Sequence, residues 1–350
     1  MQSLERASLG AFLGEATRAF DGAVRAVGLE QDVLEVAGQT IELRFAGNAL
    51  RDRILPSLRH LRAAGRSPTL SVVAFDSRST GVPMPRPPWS ARDVVERGEV
   101  RGFNTERFRT VWNAGSSILS LYDREARRAI VWTPDAAEVP YYETASPLRT
   151  LLSWWLDAAG LQVVHAAGVG EGGRGVLLTG RGGSGKTTTA LLCAEAGFGY
   201  AGDNNLVLEP TVPPIGHALF ASATVRPDPL ERLPRLRARL RNEARLATEK
   251  GLLFLDDRPD ARLLRSFEVA GVLLPRVVEA TTTRLERATP AACLAALAPS
   301  SILSLPGASG ASFARLADFA RRVPAWHLLL APDLDAIPAL VRGVLEGRAP

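Results

Sequence analysis

Residues 175–195 read GVLLTGRGGSGKTTTALLCAE, and this stretch decides the fold class. Its central part, residues 180–187, matches the pattern G-x-x-x-x-G-K-[ST] at every fixed position. An apolar run precedes the glycines and a run typical of a helix follows them, so we predict a strand, a loop and a helix in that order. This order is typical of a Walker A phosphate-binding loop, or P-loop.

The residue types of this stretch suit a phosphate site. Gly182, Gly183 and Gly185 allow backbone conformations in which successive N–H groups point at phosphate oxygens, and the helix start adds further N–H groups. Lys186 can reach the β- and γ-phosphates, and the Thr187 hydroxyl can bind Mg²⁺. We predict a nucleotide and Mg²⁺ as cofactors, bound by Gly180, Gly182, Gly183, Ser184, Gly185, Lys186, Thr187 and Thr188.

An acid-amide cluster, Asp203-Asn204-Asn205, opens the next strand after the P-loop helix. We expect it at the end of the sheet beside the loop. A carboxylate there can hold Mg²⁺ or take the proton from an attacking hydroxyl. The alternative is an Asx turn that only opens the strand. We predict Asp203 as the catalytic base and, with Thr187, as a metal ligand; Asn204 is a further candidate.

Three other side chains are candidates. His165 lies in an apolar run before the P-loop, where a lone histidine is usually a residue of the core. Arg226 is a candidate for binding the nucleotide phosphates. Lys250 is a candidate for reaching the transferring phosphoryl group or the acceptor, against the alternative that it is a lysine by chance.

Taken together, VVHAAGVG, GVLLTGRGGSGKTTTALL and GYAGDNNLVLE, all within residues 161–209, resemble the HPr kinase/phosphorylase-like family. That family is related to the ATP-dependent phosphoenolpyruvate carboxykinases. The resemblance implies a P-loop kinase domain that binds ATP and Mg²⁺. In it, Asp203 is the general base on a serine hydroxyl, and His165 supports Asp203 by orienting or tuning it. Two features depart from the family pattern: its second Asp is Asn204 here, and a stretch like E-I-R-G-L-G, associated with phosphorylase activity, is not found.

The chain also resembles a subgroup of these kinases that occurs beside peptide natural-product pathways, such as those of lasso peptides. This resemblance implies phosphorylation of a hydroxyl on a peptide or protein substrate. It also implies a possible homo-oligomer, since HPr kinase-like enzymes are often hexameric.

The length of 350 residues and an apolar content of 46% exclude disorder and a small disulfide scaffold. We predict an α/β fold with two domains. Residues 1–147 form an N-terminal α+β module for substrate recognition or positioning, with helices at 3–27 and 50–64. Residues 148–350 form the catalytic domain, a sheet covered by helices, with a β-hairpin of residues 161–179 leading into the P-loop.

The basic residues are unusual. Of 42 Lys and Arg, only Lys186 and Lys250 are lysine. In such a background a lysine hints at a position where the planar guanidinium of Arg does not serve. Residues 226–250 hold eight basic and four acidic residues, most of the net charge of +5, and we predict a basic helix at 229–249. Because this segment has no aromatic residue, nucleic acid is not the predicted partner; an acidic peptide or the nucleotide is preferred.

A cytoplasmic protein without a membrane span is predicted. Two distant cysteines suit a reducing compartment, residues 1–12 lack a signal-peptide pattern, and no apolar run reaches the roughly 18 residues that a span needs.

Three alternative functions stay open. LLFLDD at residues 252–257 resembles a Walker B strand, which would make the protein an ATPase using Asp256 and Asp257. A small-molecule kinase and a nucleotide sensor without catalysis are the others.

Overall fold

The computed structural model describes residues 2–65, 67–231, 233–257, 262–303 and 310–350. Its contacts divide the chain into two compact units, Met1–Trp155 and Leu156–Pro350, here called the N-terminal and C-terminal units. The division falls within a helix, Arg149–Ala158, whereas the sequence places the boundary between residues 147 and 148. The assignment of a role to each domain stays a prediction.

The N-terminal unit is built on one six-stranded sheet. Its strands are β1 (Leu29–Val36), β2 (Gln39–Ala46), β3 (Leu70–Asp76), β4 (Phe108–Asn113), β5 (Ile118–Asp123) and β6 (Arg128–Thr133). They lie in the order β1-β2-β3-β6-β5-β4, with β2, β3 and β6 parallel. Its helices are α1 (Gln2–Val27), α2 (Arg51–Ile54), α3 (Ser77–Thr80), α4 (Tyr141–Ala145) and the start of α5 (Arg149–Ala158).

The helix predicted at residues 50–64 is wrong. The segment forms the single turn α2 and two 3₁₀ turns, Leu55–Ser57 and Arg59–Leu61. Pro56 explains the break, because a proline has no N–H for the helix and its ring clashes with the preceding turn. Strands β4 and β5 were not predicted, whereas the predicted helix at 3–27 corresponds to α1.

The C-terminal unit contains eleven strands among its described residues. They are β7 (Gln162–Val164), β8 (Ala167–Glu171), β9 (Arg174–Leu178), β10 (Gly199–Gly202), β11 (Leu206–Glu209), β12 (Ile215–Ala218), β13 (Ser222–Val225), β14 (Gly251–Phe254), β15 (Ser266–Val277), β16 (Arg284–Ala288) and β17 (Ala325–Leu330). Besides the end of α5, the helices are α6 (Lys186–Glu195), α7 (Pro227–Glu231), α8 (Pro234–Arg237), α9 (Pro290–Ala298), α10 (Gly310–Arg322) and α11 (Ile337–Leu345).

The long strand β15 is the centre of a nine-stranded mixed sheet. It runs parallel to β9 on one side, and on the other it pairs with β12 and then with β17. Residues of β9 alternate between two cores: Val176 and Leu178 pack with α6 and α11, and Leu177 packs with α9 and α10. Helices therefore cover both faces, in agreement with the predicted α/β class. Strands β13 and β14 form a separate two-stranded sheet.

The basic helix predicted at residues 229–249 is also wrong. The chain forms only α7, α8 and a 3₁₀ turn, Glu243–Arg245, and Arg232 lies outside the described residues. Pro234, at the start of α8, lies within the predicted range and prevents a continuous helix. Several of the arginines are paired with acids: Arg237 with Glu243, Arg241 with Asp257 and Arg245 with Glu249.

Among the helices that the structure describes, none combines the length and the apolar character needed to cross a membrane.

Candidate functional site

The glycine-rich loop, residues 180–185, connects β9 to α6. Gly183 and Gly185 adopt φ angles of 84° and 107°, in the left-handed region that favours glycine. A Cβ at Gly185 would also lie 2.4 Å from Leu330 Cδ1 on β17, whereas one at Gly182 would meet nothing within 4 Å. The backbone path into α6 therefore depends on Gly185 far more than on Gly182.

Gly185→Ala is expected to lower the free energy of unfolding by about 1–3 kcal/mol, because alanine is strained at this φ and its methyl group displaces Leu330. Gly182→Ala is the matched control and should change it by less than about 0.5 kcal/mol. Urea denaturation of the two variants and the wild type measures both. Equal stability of the two variants would contradict the conformational role of Gly185.

Lys186 is the first residue of α6 and its side chain turns back over the loop. The side chain is buried, and Nζ donates hydrogen bonds to the carbonyl oxygens of Gly180, at 2.8 Å, and Arg181, at 3.2 Å. Burial lowers the pKa of Lys186 below its usual value; the charge of Asp203 opposes this change and that of Lys250 adds to it. The ammonium is thus held at the loop, within electrostatic reach of both side chains.

Asp203 lies beside the start of α6. The Thr187 hydroxyl donates a hydrogen bond of 2.8 Å to Asp203 Oδ2, and Asp203 is fully buried. Burial raises the pKa of Asp203 above its usual value, although the Thr187 hydroxyl, the Lys186 ammonium and the backbone N–H groups of Asn204 and Thr224 oppose the increase. The other carboxylate oxygen, Oδ1, is buried without a hydrogen-bond partner among the described residues. A carboxylate in this state is both a proton acceptor and an open ligand position.

The sheet register brings the strand ends together. Gly202, before Asp203, pairs with Gly168 of β8, and Val164 of β7 pairs with Leu206 of β11. His165 follows Val164, so its backbone lies next to Asn205 in the antiparallel register.

The run of residues 161–169, predicted as one strand, is broken at His165 into β7 and β8. Here the His165 N–H donates to Ser301 Oγ at 2.9 Å, and the Thr179 hydroxyl donates to the His165 carbonyl at 3.2 Å. The role of His165 in tuning Asp203 stays a prediction.

Asn204 faces strand β13. It has a positive φ of 71°, and its side-chain amide donates to Thr224 Oγ1 at 3.3 Å. Val225, at the end of β13, pairs with Gly251 of β14, so Arg226 and Lys250 flank the same end of this two-stranded sheet. Both side chains are exposed. Of the two, Lys250 has an electrostatic effect on Lys186.

Asp256 and Asp257, the alternative Walker B residues, lie in a 3₁₀ turn after β14. Strand β14 belongs to the two-stranded sheet, and β9, which leads into the loop, pairs with β8 and β15. Asp257 forms an ion pair with Arg241. Of Asp203, Asp256 and Asp257, it is Asp203 whose carboxylate accepts the hydrogen bond of the Thr187 hydroxyl.

Two residues near the site were missed by the sequence analysis, Thr224 and Ser301. Each contacts a predicted residue, Asn204 and His165 respectively, through its hydroxyl group. Both lie on elements distant in sequence from their partners, and nothing in the local pattern distinguishes them from other Ser and Thr residues.

The side chains suit a bound nucleotide with Mg²⁺. Ser184 Oγ, like Asp203 Oδ1, is buried without a partner among the described residues, so both oxygens lie ready for a ligand. Thr187 and Asp203 offer the oxygen ligands that Mg²⁺ prefers. The described part of the chain holds no cluster of three or more His, Cys, Asp or Glu that could bind a metal.

Comparisons with known proteins find similarity to solved structures. No protein-family model and no curated protein matches the chain. Among solved structures, the Hpr(Ser) kinase/phosphatase from Coxiella burnetii is similar over 53% of this chain and 95% of its own, with 14% sequence identity and a TM-score of 0.29.

Proposed function

We propose that the protein is an ATP- and Mg²⁺-dependent phosphotransferase that transfers the γ-phosphoryl group to a hydroxyl, with a serine of a peptide or protein as the acceptor. One observation carries the proposal: the hydrogen bond of 2.8 Å from the Thr187 hydroxyl to the buried carboxylate of Asp203. This hydrogen bond places a proton acceptor beside the first turn of α6, which follows the glycine-rich loop. A phosphoryl transfer to a hydroxyl uses such an acceptor next to the bound phosphates.

In the proposed reaction the loop residues hold the triphosphate. The Lys186 ammonium exchanges its loop carbonyls for phosphate oxygens, and the N–H groups at the start of α6 bind the same anion. Thr187 and Asp203 would hold Mg²⁺, which neutralises phosphate charge when it is bound. These positive groups stabilise the charge that develops on the phosphate oxygens.

Asp203 is the proposed base. The acceptor oxygen forms a bond to the γ-phosphorus while the bond from that phosphorus to the bridging oxygen breaks and ADP leaves. The proton of the hydroxyl passes to Asp203 Oδ1, the carboxylate oxygen that does not accept from the Thr187 hydroxyl. Burial raises the pKa of Asp203, which makes its carboxylate a stronger base than an exposed one.

The Thr187→Val variant is expected to raise the pKa of Asp203 further, because the lost hydroxyl lowers that pKa in the wild type. Asp203 acts as a base only when it is deprotonated, so kcat/KM falls as the pH is lowered through the pKa of Asp203. In the variant this fall should begin at a higher pH than in the wild type. Carboxyl ¹³C NMR of the free protein measures the shift, and the Asp203 signal is the one missing from Asp203→Asn. Thr188→Val is the control, and an unchanged or lowered pKa in Thr187→Val would contradict the assignment.

Lys250→Ala is expected to reduce kcat/KM about tenfold, because it removes a positive charge that acts on the same site as Lys186. Lys250→Arg keeps the charge but changes the shape, and we expect it to recover only part of the loss. Arg235→Ala, on α8, removes an exposed charge of the same segment and is the control. Wild-type kinetics in both Lys250 variants would remove Lys250 from the site.

Intact-mass spectrometry tests the function itself. The protein is incubated with ATP, Mg²⁺ and candidate peptides encoded beside its gene, and one added phosphoryl group on a peptide supports the proposal. Consumption of ATP without a modified acceptor would favour the ATPase alternative, and loss of that activity in Asp256→Asn with Asp257→Asn would establish it. Phosphorylation of a small molecule alone, or nucleotide binding without turnover, would favour the other two alternatives.

A further inference from the structure

A cavity of about 640 Å³ lies within the N-terminal unit, beside α1, the proline-rich loop at residues 83–89 and the sheet. Its floor is a row across three neighbouring strands: Trp112 of β4 faces Leu119 of β5, which faces Trp132 of β6. Phe12 of α1 and Trp89 add to its lining.

The lining leaves a large aromatic surface incompletely covered. Trp89, Trp112 and Trp132 are all half-buried. The rings of Trp112 and Trp132 are stacked, with centroids 6.2 Å apart and an angle of 27° between their planes. Trp132 donates its indole N–H to Ser77 Oγ at 2.9 Å, which fixes one ring of the pair. Apolar surface exposed to water in this way costs free energy, which a bound apolar molecule recovers.

The charges of the lining favour a neutral ligand. Twelve of its fifteen residues are apolar, and the other three are Arg86, Ser90 and Glu96. The Ser90 hydroxyl already donates to Asp93 in a capping box. Arg86 and Glu96 have opposite charges, so the lining has no net charge, and a charged ligand would lose hydration without a surplus of opposite charge to replace it.

We propose that this cavity is a binding site for a neutral aromatic small molecule. The volume lies in the range of roughly 300–1,000 Å³ that is usual for such ligands. The stacked indoles of Trp112 and Trp132 offer a flat apolar wall against which an aromatic ring stacks. The proposal does not depend on the phosphoryl transfer proposed above, because every residue that carries it belongs to the N-terminal unit.

Two fluorescent probes that share a ring system test the site on the full chain: N-phenyl-1-naphthylamine, which is neutral, and its 8-sulfonate, which is anionic. We expect the neutral probe to bind saturably and one-to-one and to quench the tryptophan emission. The sulfonate should bind at least about tenfold more weakly, because of its charge. Lack of saturable binding by the neutral probe, or equal affinity for both probes, would overturn the proposal.

A second test of the site uses a variant in which a new side chain fills the cavity. Ala91→Trp places a large side chain in the lining from an exposed 3₁₀ turn, and Ala137→Trp makes the same change in another exposed turn of the unit, outside the lining. We expect probe affinity to fall about tenfold or more in Ala91→Trp alone. An equal loss in both variants would overturn the assignment to this cavity.

A competition arm distinguishes a small molecule from a polypeptide. Acetyl-tryptophan amide is compared with a neutral tryptophan-containing pentapeptide as a competitor of the neutral probe. Similar inhibition constants support the proposal, because the ring alone then accounts for binding. Displacement by the pentapeptide at concentrations more than about tenfold lower would show that the site takes a chain segment, and would overturn it.

Discussion

Asp203→Asn is expected to lower the turnover number by about 10³-fold, within the range that loss of a general base produces. The amide keeps the shape of the side chain and an oxygen for the Thr187 hydroxyl, but it cannot take the proton of the acceptor. Affinity for the nucleotide should change by less than about tenfold, since Lys186 and the loop remain. Turnover is followed by phosphoryl transfer, and nucleotide binding separately by calorimetry.

The stability of this variant can be anticipated from the pKa of Asp203. A carboxyl group whose pKa is raised on folding binds its proton more tightly in the folded state, so it destabilises that state as the pH rises above its unfolded pKa. The amide carries no charge to bury, and Asp203→Asn should therefore be at least as stable as the wild type at neutral pH. A loss of activity is then not a loss of fold. Wild-type turnover in this variant would exclude Asp203 as the base.

Lys186→Arg is expected to weaken nucleotide binding about 100-fold, although it keeps the positive charge. Lys186 is only 7% exposed, and its ammonium donates to two loop carbonyls, contacts that a larger planar guanidinium does not reproduce. Calorimetry with a non-hydrolysable ATP analogue measures the affinity.

The control makes the opposite substitution, arginine to lysine, elsewhere in the same loop. Arg181→Lys alters an exposed side chain of the same loop, and we expect its affinity to stay within about threefold of the wild type. If Lys186→Arg binds the nucleotide as tightly as Arg181→Lys, a positive charge of any shape suffices at position 186.

The part of the site that chemistry ties to a fixed spacing could be predicted. A phosphate loop needs glycines, a lysine and a hydroxyl at set intervals along a few consecutive residues, so the sequence alone provides Gly185, Lys186 and Thr187 as candidates, and their binding of a nucleotide stays a prediction. The place of Asp203 beside the loop could be predicted from the return of the chain after the helix, although Asp203 lies between β10 and β11 and does not open a strand as predicted. Its burial and its contact with Thr187 could not, since both depend on how several strands pack.

The wrong predictions share a cause. The basic residues and good helix formers around 229–249 suggest a helix, but Pro234 within the run decides the backbone locally. The same conflict at Pro56 divides the helix predicted at 50–64. Strand β13 carries no strong pattern over its four residues, and it exists because β14 pairs with it. Short elements of this kind are set by tertiary contacts rather than by local preference.

The packing of Leu330 against Gly185 has a consequence for biosynthesis. The glycine-rich loop leaves the ribosome long before β17, the last strand of the sheet, and β15 must wait for β17 to complete one of its edges. During most of the synthesis of the C-terminal unit, the nascent chain therefore contains the glycine-rich motif but not Leu330, against which Gly185 packs. The loop should therefore reach its final backbone path only after β17 has been synthesised, and the early steps of folding of this unit proceed without it.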